Sequence, residues 1–210
     1  MSGDHSIATG GKQGEAGARE QKSALLKVMF INAGLAAGLF AAGRASDSSA
    51  LMANALDNLS DATTYAISYF AVSRAVKWKA AAAAITGVML LMLAGGVLID
   101  GWNRYRTGSE PVGPTMVVMA FLAVGLNYWC IRILRSFQKQ DVNLRAAWTM
   151  SVNDFASNLG IFVAGGLVFF FGSNWPDLLV GAAIALVAVY GGVTTLRDAY
   201  CSWKESAVKS

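Results

Sequence analysis

The amino-acid sequence predicts an all-α integral membrane protein with six transmembrane helices and both termini in the cytoplasm. Three observations support this fold class. First, 55% of the 210 residues are hydrophobic and only 14% are charged, whereas a soluble domain carries roughly a quarter charged residues. Second, the charged residues are bunched between long apolar runs. Third, six such runs are present, and each is about long enough to cross ~30 Å of hydrocarbon as a helix.

The six apolar runs cover residues 25–43, 50–73, 80–99, 112–134, 146–171 and 177–196. Helices are the expected spanning form, because backbone polar groups in lipid must pair within their own segment. In the first run, Gly34 and Gly38 form a GxxxG motif, which permits close helix packing within a subunit or between two subunits. At the start of the last run, Pro176 suits the first turn of a helix and Trp175 suits the membrane interface.

The segments outside the runs complete the predicted organisation. Residues 1–23 are polar, rich in glycine and mixed in charge, so we expect a disordered cytoplasmic N-terminal tail. Residues 24–200 form the six-helix transmembrane domain, and residues 201–210 form a short cytoplasmic C-terminal tail. We expect no further domain in this sequence.

The basic residues orient the helices through the positive-inside rule. With six spans, 14 of the 17 lysines and arginines fall on the side that holds both termini. The other side holds Arg44, Arg104 and Arg106. This bias predicts cytoplasmic termini and supports the count of six, because a wrong count would mix the two sides. The same topology explains the net charge of +4, so no nucleic-acid partner is expected.

Three aspartates interrupt the apolar runs: Asp57 and Asp61 in the second run and Asp154 in the fifth. A charge near the bilayer centre costs at least ~2.5–3.5 kcal/mol on insertion scales, so such residues usually face a cavity and serve a function. Asp57 and Asp61 are one helical turn apart and share a face, on which Asn54 lies one turn earlier.

The fifth run carries a matching polar stripe between Met150 and Asn158. No basic residue lies mid-membrane to pair with the carboxylates, which repel one another unless they are protonated or bind a cation. A divalent cation held by three carboxylates and an Asn or Met is the simplest solution. The predicted metal ligands are Asp57, Asp61, Asp154, Asn153 and Met150. Asn158 and water are further candidates for the fourth ligand.

A structural role is the alternative for these polar residues. Asn, Ser and a protonated Asp can hold membrane helices together by hydrogen bonds. For Asn32, Thr86 and Asn127, which are isolated on their helices, this interpretation is preferred. It is less favoured for three aspartates that include a pair one turn apart. The only histidine is His5 in the N-terminal tail, so a mid-membrane metal site must use oxygen and thioether ligands.

The stretch Ser49–Asp61 resembles the second-helix signature of the cation diffusion facilitator transporters. In that signature a His or Asp is followed, after three other residues, by Asp; Asp57 and Asp61 occupy these positions. The family has a corresponding His-xxx-Asp in its fifth helix. Asp154 matches its Asp, and Gly160 matches the glycine that follows.

The resemblance extends over residues 25–200, with several departures. Met150 stands where the family has its histidine, and Asn54 replaces the usual acid. Asn153, beside Asp154, is a substitute ligand. The His-rich cytoplasmic loop and the C-terminal cytoplasmic domain of typical members do not occur in this sequence. We therefore expect a short member resembling the transmembrane domain alone, whose homodimer would form through membrane helices.

The resemblance implies efflux of a divalent metal in exchange for protons, with alternating access to the mid-membrane site. Clustered carboxylates hold protons when empty, and metal binding releases them. The family favours Zn²⁺, with Cd²⁺ as a close mimic, although an oxygen-rich site without histidine also suits Mn²⁺ or Fe²⁺. No catalytic residue and no tightly bound cofactor are expected. The expected location is the inner membrane of a bacterium.

Two other functions stay open. An aspartate cluster could line a passive divalent-cation channel. CDP-alcohol phosphotransferases are metal-dependent membrane enzymes that also have six helices and a DxxxD on a membrane helix. Their longer motif requires an upstream DGxxAR and a glycine four residues before the first aspartate of DxxxD. Here Ala53 occupies that position and no DGxxAR precedes it, so this alternative is less favoured.

Overall fold

The structure is a computed structural model that describes residues 4–71, 76–137 and 142–208. Over these residues the chain forms six helices: α1 Asp4–Ala45, α2 Ser49–Ala71, α3 Val76–Thr107, α4 Gly113–Leu134, α5 Val142–Phe171 and α6 Trp175–Val208. The predicted all-α class is confirmed. Each helix contains all or nearly all of one predicted apolar run.

Helix α1 is longer than its apolar run. It begins at Asp4 and has 42 residues, so it includes most of the segment for which the sequence predicts a disordered tail. This segment has no proline, and extending an existing helix adds one hydrogen bond for each residue fixed. The part of α1 that is apolar enough to cross a membrane begins only at Arg19.

Five of the described helices are long and apolar enough to cross a membrane, and the chain is an integral membrane protein. The candidate spans are Arg19–Ala45, Ala83–Thr107, Gly113–Leu134, Ala147–Phe171 and Trp175–Cys201. Helix α2 is not among them. Its 23 residues are enough to cross ~30 Å, but Asn54, Asp57, Asn58 and Asp61 lower its hydropathy.

Contacts at one end of the bundle show that successive helices alternate in direction. We call this end, formed by residues 46–49, 107–113 and 172–177, the capped end. Arg104 near the end of α3 forms ion pairs with Asp47, between α1 and α2, and with Asp100 one turn earlier on α3. At the start of α4, Val112 N donates to Ser46 O at 3.0 Å. One of the few basic residues at this end is therefore neutralised by two carboxylates.

Asp177, fully buried in the first turn of α6, caps the start of α2. Its carboxylate accepts hydrogen bonds from Ser48 Oγ at 2.5 Å, Ser49 N at 2.7 Å and Ala50 N at 3.1 Å. The first N–H groups of a helix have no partner within the helix and carry partial positive charge, so a carboxylate stabilises them. Gly181 permits this approach, because a Cβ on it would lie 2.8 Å from Ser49 C.

Helices α3 and α6 form a tightly packed pair. Gly87 of α3 faces Gly192 of α6. A Cβ on Gly87 would lie 3.1 Å from Gly192 O, and a Cβ on Gly192 would lie 3.2 Å from Gly87 O. The two backbones therefore approach closely, as small residues allow between membrane helices.

The apolar core shared by α1, α2, α4 and α5 falls into two clusters. The first includes Leu35, Leu56, Ala123 and Ile161. The second includes Val28, Tyr65, Cys130 and Ala147. Between them each helix contributes buried polar side chains: Asn32, Asn58, Asp61, Asn127, Ser151 and Asp154. We call this set the polar layer. It lies at the level where the sequence predicts a metal site.

Candidate metal site

A cavity of about 640 Å³ lies where α2 and α5 face α3 and α6. All five predicted metal ligands line it: Asp57, Asp61, Met150, Asn153 and Asp154. The opposite wall is formed by Leu90 of α3 and by Val187, Ala188, Gly191 and Thr195 of α6. The structure therefore brings the aspartate pair of α2 and the polar stripe of α5 to one cavity in the middle of the bundle.

The three aspartate side chains are neighbours. The Asp154 carboxyl group lies close enough to those of Asp57 and Asp61 to interact electrostatically with both. Asp61 is 4% exposed and Asp154 is 2% exposed, whereas Asp57 is half-buried. Among the described residues, no lysine or arginine lines the cavity. Carboxylates this close together and this deeply buried require a proton or a cation between them.

The carboxylates do not yet surround a single point. Among the described residues, no three His, Cys, Asp or Glu side chains are grouped so as to hold a metal ion. Side-chain rotation, together with neutral ligands, would be needed to enclose one. Neutral ligands are at hand, because Met150 is half-buried and Asn153 is exposed to the cavity.

On the side of the capped end, the aspartates are flanked by asparagines. Asn54 Nδ2 donates to Asn158 Oδ1 at 2.7 Å, which joins α2 to α5. Asn158 Nδ2 donates to Asp154 O at 2.7 Å, and Asn58 Nδ2 donates to Asn54 O at 2.9 Å. Asn158, one of the candidates for the fourth ligand, is therefore engaged in joining helices and does not line the cavity. Asn153 and Met150 do line it.

Tyr65 flanks the aspartates on the side away from the capped end. It is 2% exposed, and its hydroxyl lies 3.3 Å from both Asp61 Oδ2 and Ala147 O. A phenol has one proton and donates to one acceptor at a time. Tyr65 was not predicted from the sequence. The signal was its position one helical turn after Asp61, which puts the two side chains on one face.

Hydroxyl groups also line the cavity. Ser157 belongs to the polar stripe predicted on α5, whereas Ser60, Thr64 and Thr195 were not predicted from the sequence. On α2, spacings of three and four residues place Ser60 and Thr64 on the face of the aspartates, so periodicity could have found them. Each offers a neutral oxygen to a cation that sheds its water.

Two of the isolated asparagines do not have the predicted role of joining helices. Asn32 Nδ2 donates to Val28 O of its own helix at 2.8 Å, and its Oδ1 has no hydrogen-bond partner among the described residues. Neither polar side-chain atom of Asn127 has a partner there. Both residues belong to the polar layer. Thr86 of α3 is buried.

The fold and the cavity define a polytopic membrane protein whose helices enclose an acidic site. The chain belongs to the family of the cation efflux transmembrane domain, which it matches over residues 25–202. The predicted family is confirmed. Members of this family are transporters and not enzymes, so the phosphotransferase alternative is dropped.

Individual relatives are distant. The chain is 22% identical over 170 residues to the "Cadmium, cobalt and zinc/H(+)-K(+) antiporter" of Bacillus subtilis strain 168, covering 74% of this chain and 55% of that protein. It is 24% identical over 149 residues to the "Metal cation efflux system protein CzcD" of Cupriavidus metallidurans, covering 65% of this chain and 47% of that protein. The chain thus spans about half the length of the curated relatives it matches.

Proposed function

We propose that this protein exports a divalent metal cation, zinc or cadmium, in exchange for protons at the cavity that contains Asp57, Asp61 and Asp154. The observation that carries the proposal is the joint position of the three aspartates in one cavity between helices of a cation efflux protein. Carboxylates in the membrane interior are costly unless a cation or protons neutralise them. A site that alternates between the two would couple their movements.

The exchange follows from charge. A divalent metal binds the ionised carboxylates, so binding releases their protons. When the metal leaves, three neighbouring carboxylates in the membrane interior take protons back. One cavity thereby serves both ions in turn. The electrostatic interaction of Asp154 with Asp57 and Asp61 supports this step, because protonation of any one changes the charge felt by the others.

The neutral ligands bear on the choice of metal. Met150 supplies a polarisable thioether, which favours Cd²⁺ or Zn²⁺ over harder ions. The oxygen atoms of Asn153 and the cavity hydroxyls also suit Mn²⁺ or Fe²⁺. Relatives are named for cadmium, cobalt and zinc. We therefore rank zinc and cadmium first.

The proposal includes a topology. Helix α2 is the sixth span, with its polar residues turned into the bundle. Both termini lie in the cytoplasm of a bacterium, and the capped end lies outside. The excess of basic residues on the side of the termini supports this orientation. Arg104, one of the three basic residues on the other side, is neutralised by Asp47 and Asp100.

A flux measurement in reconstituted vesicles tests the function. With a pH gradient imposed, Cd²⁺ or Zn²⁺ uptake should saturate and should dissipate the gradient. Asp154→Asn and Asp61→Asn should each lower metal flux more than ~10-fold. Asp198→Asn, at an exposed position on α6, is the matched control and should transport normally. Metal flux without proton counterflow would refute the exchange, flux that rises linearly with metal would indicate a channel, and an active Asp154→Asn would refute the site.

A homodimer through α1 is the remaining part of the proposal. Gly34 and Gly38 lie on an exposed face of α1. A Cβ on Gly34 would meet nothing within 4 Å, and one on Gly38 would meet only Met119 Cε at 3.8 Å, so this motif is left for a second copy. In a Cys201→Ser background, Ala37→Cys should form disulfide-linked dimers in membranes. Met92→Cys, exposed on α3, should not; equal cross-linking at both positions would refute the interface.

A further inference from the structure

The polar layer contains buried atoms that the metal site does not account for. Among the described residues, no hydrogen-bond partner is found for Asn32 Oδ1, Asn58 Oδ1, Asn127 Oδ1 and Nδ2, Ser151 Oγ or Asp154 Oδ2. Asp154 is 2% exposed, and the other four residues are fully buried. A buried polar atom without a partner is destabilising, and native structures contain few of them. Their concentration in one layer therefore points to a bound ligand.

These atoms lie at one level of the bundle. Asn32 is one turn from Val28 of one apolar cluster and one turn from Leu35 of the other. Asn127 stands in the same way between Ala123 and Cys130. Since α1, α2, α4 and α5 pack around both clusters, the side chains between the clusters face a common interior.

The composition of the layer indicates which ligand it would take. Five of the six unpartnered atoms are oxygens, and only Asn127 Nδ2 is an obligate donor. Amide, hydroxyl and carboxylate oxygens are ligands for hard cations. Asp154 is the only one of the five residues that can carry a negative charge, so a single positive charge would leave the set neutral.

Charge balance in the adjacent cavity leads to the same ligand, on the condition that the proposed function is right. Asp57, Asp61 and Asp154 carry three negative charges when ionised, and a divalent metal neutralises two. No lysine or arginine among the described residues lines the cavity to neutralise the third. An uncompensated charge in the membrane interior is costly. Asp154 belongs to both sites and would carry the effect of one cation to the other.

We propose that the polar layer is a second cation site, in which Asn32, Asn58, Asn127, Ser151 and Asp154 bind a monovalent alkali cation behind the divalent metal. The monovalent cation neutralises the charge that the divalent metal leaves. Its binding therefore strengthens binding of the metal in the cavity, and the metal strengthens its binding in return.

Thermal unfolding without divalent metal tests the site by itself. The purified full chain is measured in detergent with a chelator, in NaCl, KCl or choline chloride at equal ionic strength. Na⁺ or K⁺ at one hundred times its Kd should raise Tm by roughly 5 °C over choline, in a saturable way. Asn127→Ala should lose this rise, and the exposed control Asn103→Ala should keep it. Asn32→Ala serves if Asn127→Ala does not fold. Equal Tm in the three salts, or a rise that both polar-layer variants keep, would overturn the proposal.

Binding of Cd²⁺ tests the coupling and separates the two proposals. By calorimetry, Cd²⁺ affinity should fall about tenfold when choline replaces the effective alkali cation. Equal Cd²⁺ affinity in all three salts would overturn the charge compensation, even though Cd²⁺ binds. No Cd²⁺ binding in any salt would refute the proposed function, whereas a saturable rise of Tm with Na⁺ or K⁺ would still support the polar-layer site.

Discussion

The hydrogen bonds of Asp177 provide a direct test of what holds the capped end together. Asp177→Ala leaves the Ser48 hydroxyl and the Ser49 and Ala50 N–H groups without their buried acceptor. A hydrogen bond to a charged group contributes ~1.5–3 kcal/mol, and an orphaned buried donor costs ~1–3 kcal/mol. Three such donors give a loss of about 3–6 kcal/mol, since the freed N–H groups at the start of α2 regain some solvation. For a chain of this size, that corresponds to a fall in Tm of roughly 10 °C.

Asp177→Asn separates the charge from the geometry. It keeps one acceptor oxygen near the start of α2 but removes the negative charge from the positive end of the helix. That charge contributes up to ~2 kcal/mol in a partly buried setting. Asp177→Asn should therefore be destabilised by about 1–2 kcal/mol, between the wild type and Asp177→Ala.

The assay is thermal or denaturant unfolding of the purified protein in detergent, with Asp198→Ala as the matched control. Asp198 lies on the same helix and is exposed, so its loss should change Tm by less than about 2 °C. The reasoning would be refuted if Asp177→Ala unfolded at the same temperature as Asp198→Ala. It would also be refuted if Asp177→Asn were as unstable as Asp177→Ala.

Three further predictions concern the site and its packing. Tyr65→Phe removes the hydroxyl beside the aspartates and should lower metal affinity about tenfold by titration; unchanged affinity would mean that the hydroxyl is not part of the site. Met150→His replaces a thioether with an imidazole and should raise the Zn²⁺ to Mn²⁺ affinity ratio in competition binding, because nitrogen suits zinc; an unchanged ratio would place Met150 outside the ligand set. Gly113→Ala would put a Cβ 2.7 Å from Gly165 O and should lower the free energy of unfolding by about 1–3 kcal/mol. The control is Gly125→Ala, whose Cβ would meet nothing within 4 Å and which should not lower it. Equal effects of the two substitutions would contradict the close packing of α4 on α5.

Local patterns in the sequence were sufficient for the helices and for part of the site. Apolar runs bounded by charges predict helix positions directly, because length and hydropathy are properties of one segment. The spacing of Asp57 and Asp61 predicts a shared face for the same reason. That Asp154 would face them required the family resemblance, since the pairing of α2 with α5 is a property of the fold.

Features that depend on contacts between distant segments could not be predicted in this way. Asp177 lies in the first turn of its own helix, and nothing nearby in the sequence shows that it caps another helix. The sequence predicts that Asn32 and Asn127 join helices, because isolated asparagines usually do. In the structure they face the polar layer, whose existence depends on four helices presenting polar residues at one level.

The tight pairing of α3 with α6 has a mechanical consequence. The α3–α6 pair is held at one end by the hydrogen bonds between the start of α2 and Asp177. It would therefore tilt as a unit about that end. Helix α6 has 34 residues, so it is about 50 Å long. A tilt of ~10° about Asp177 would move Thr195 by roughly 5 Å and the far end of α6 by roughly 8 Å. Small rotations about Asp177 would therefore move the cavity wall by several ångströms, with little change at the capped end.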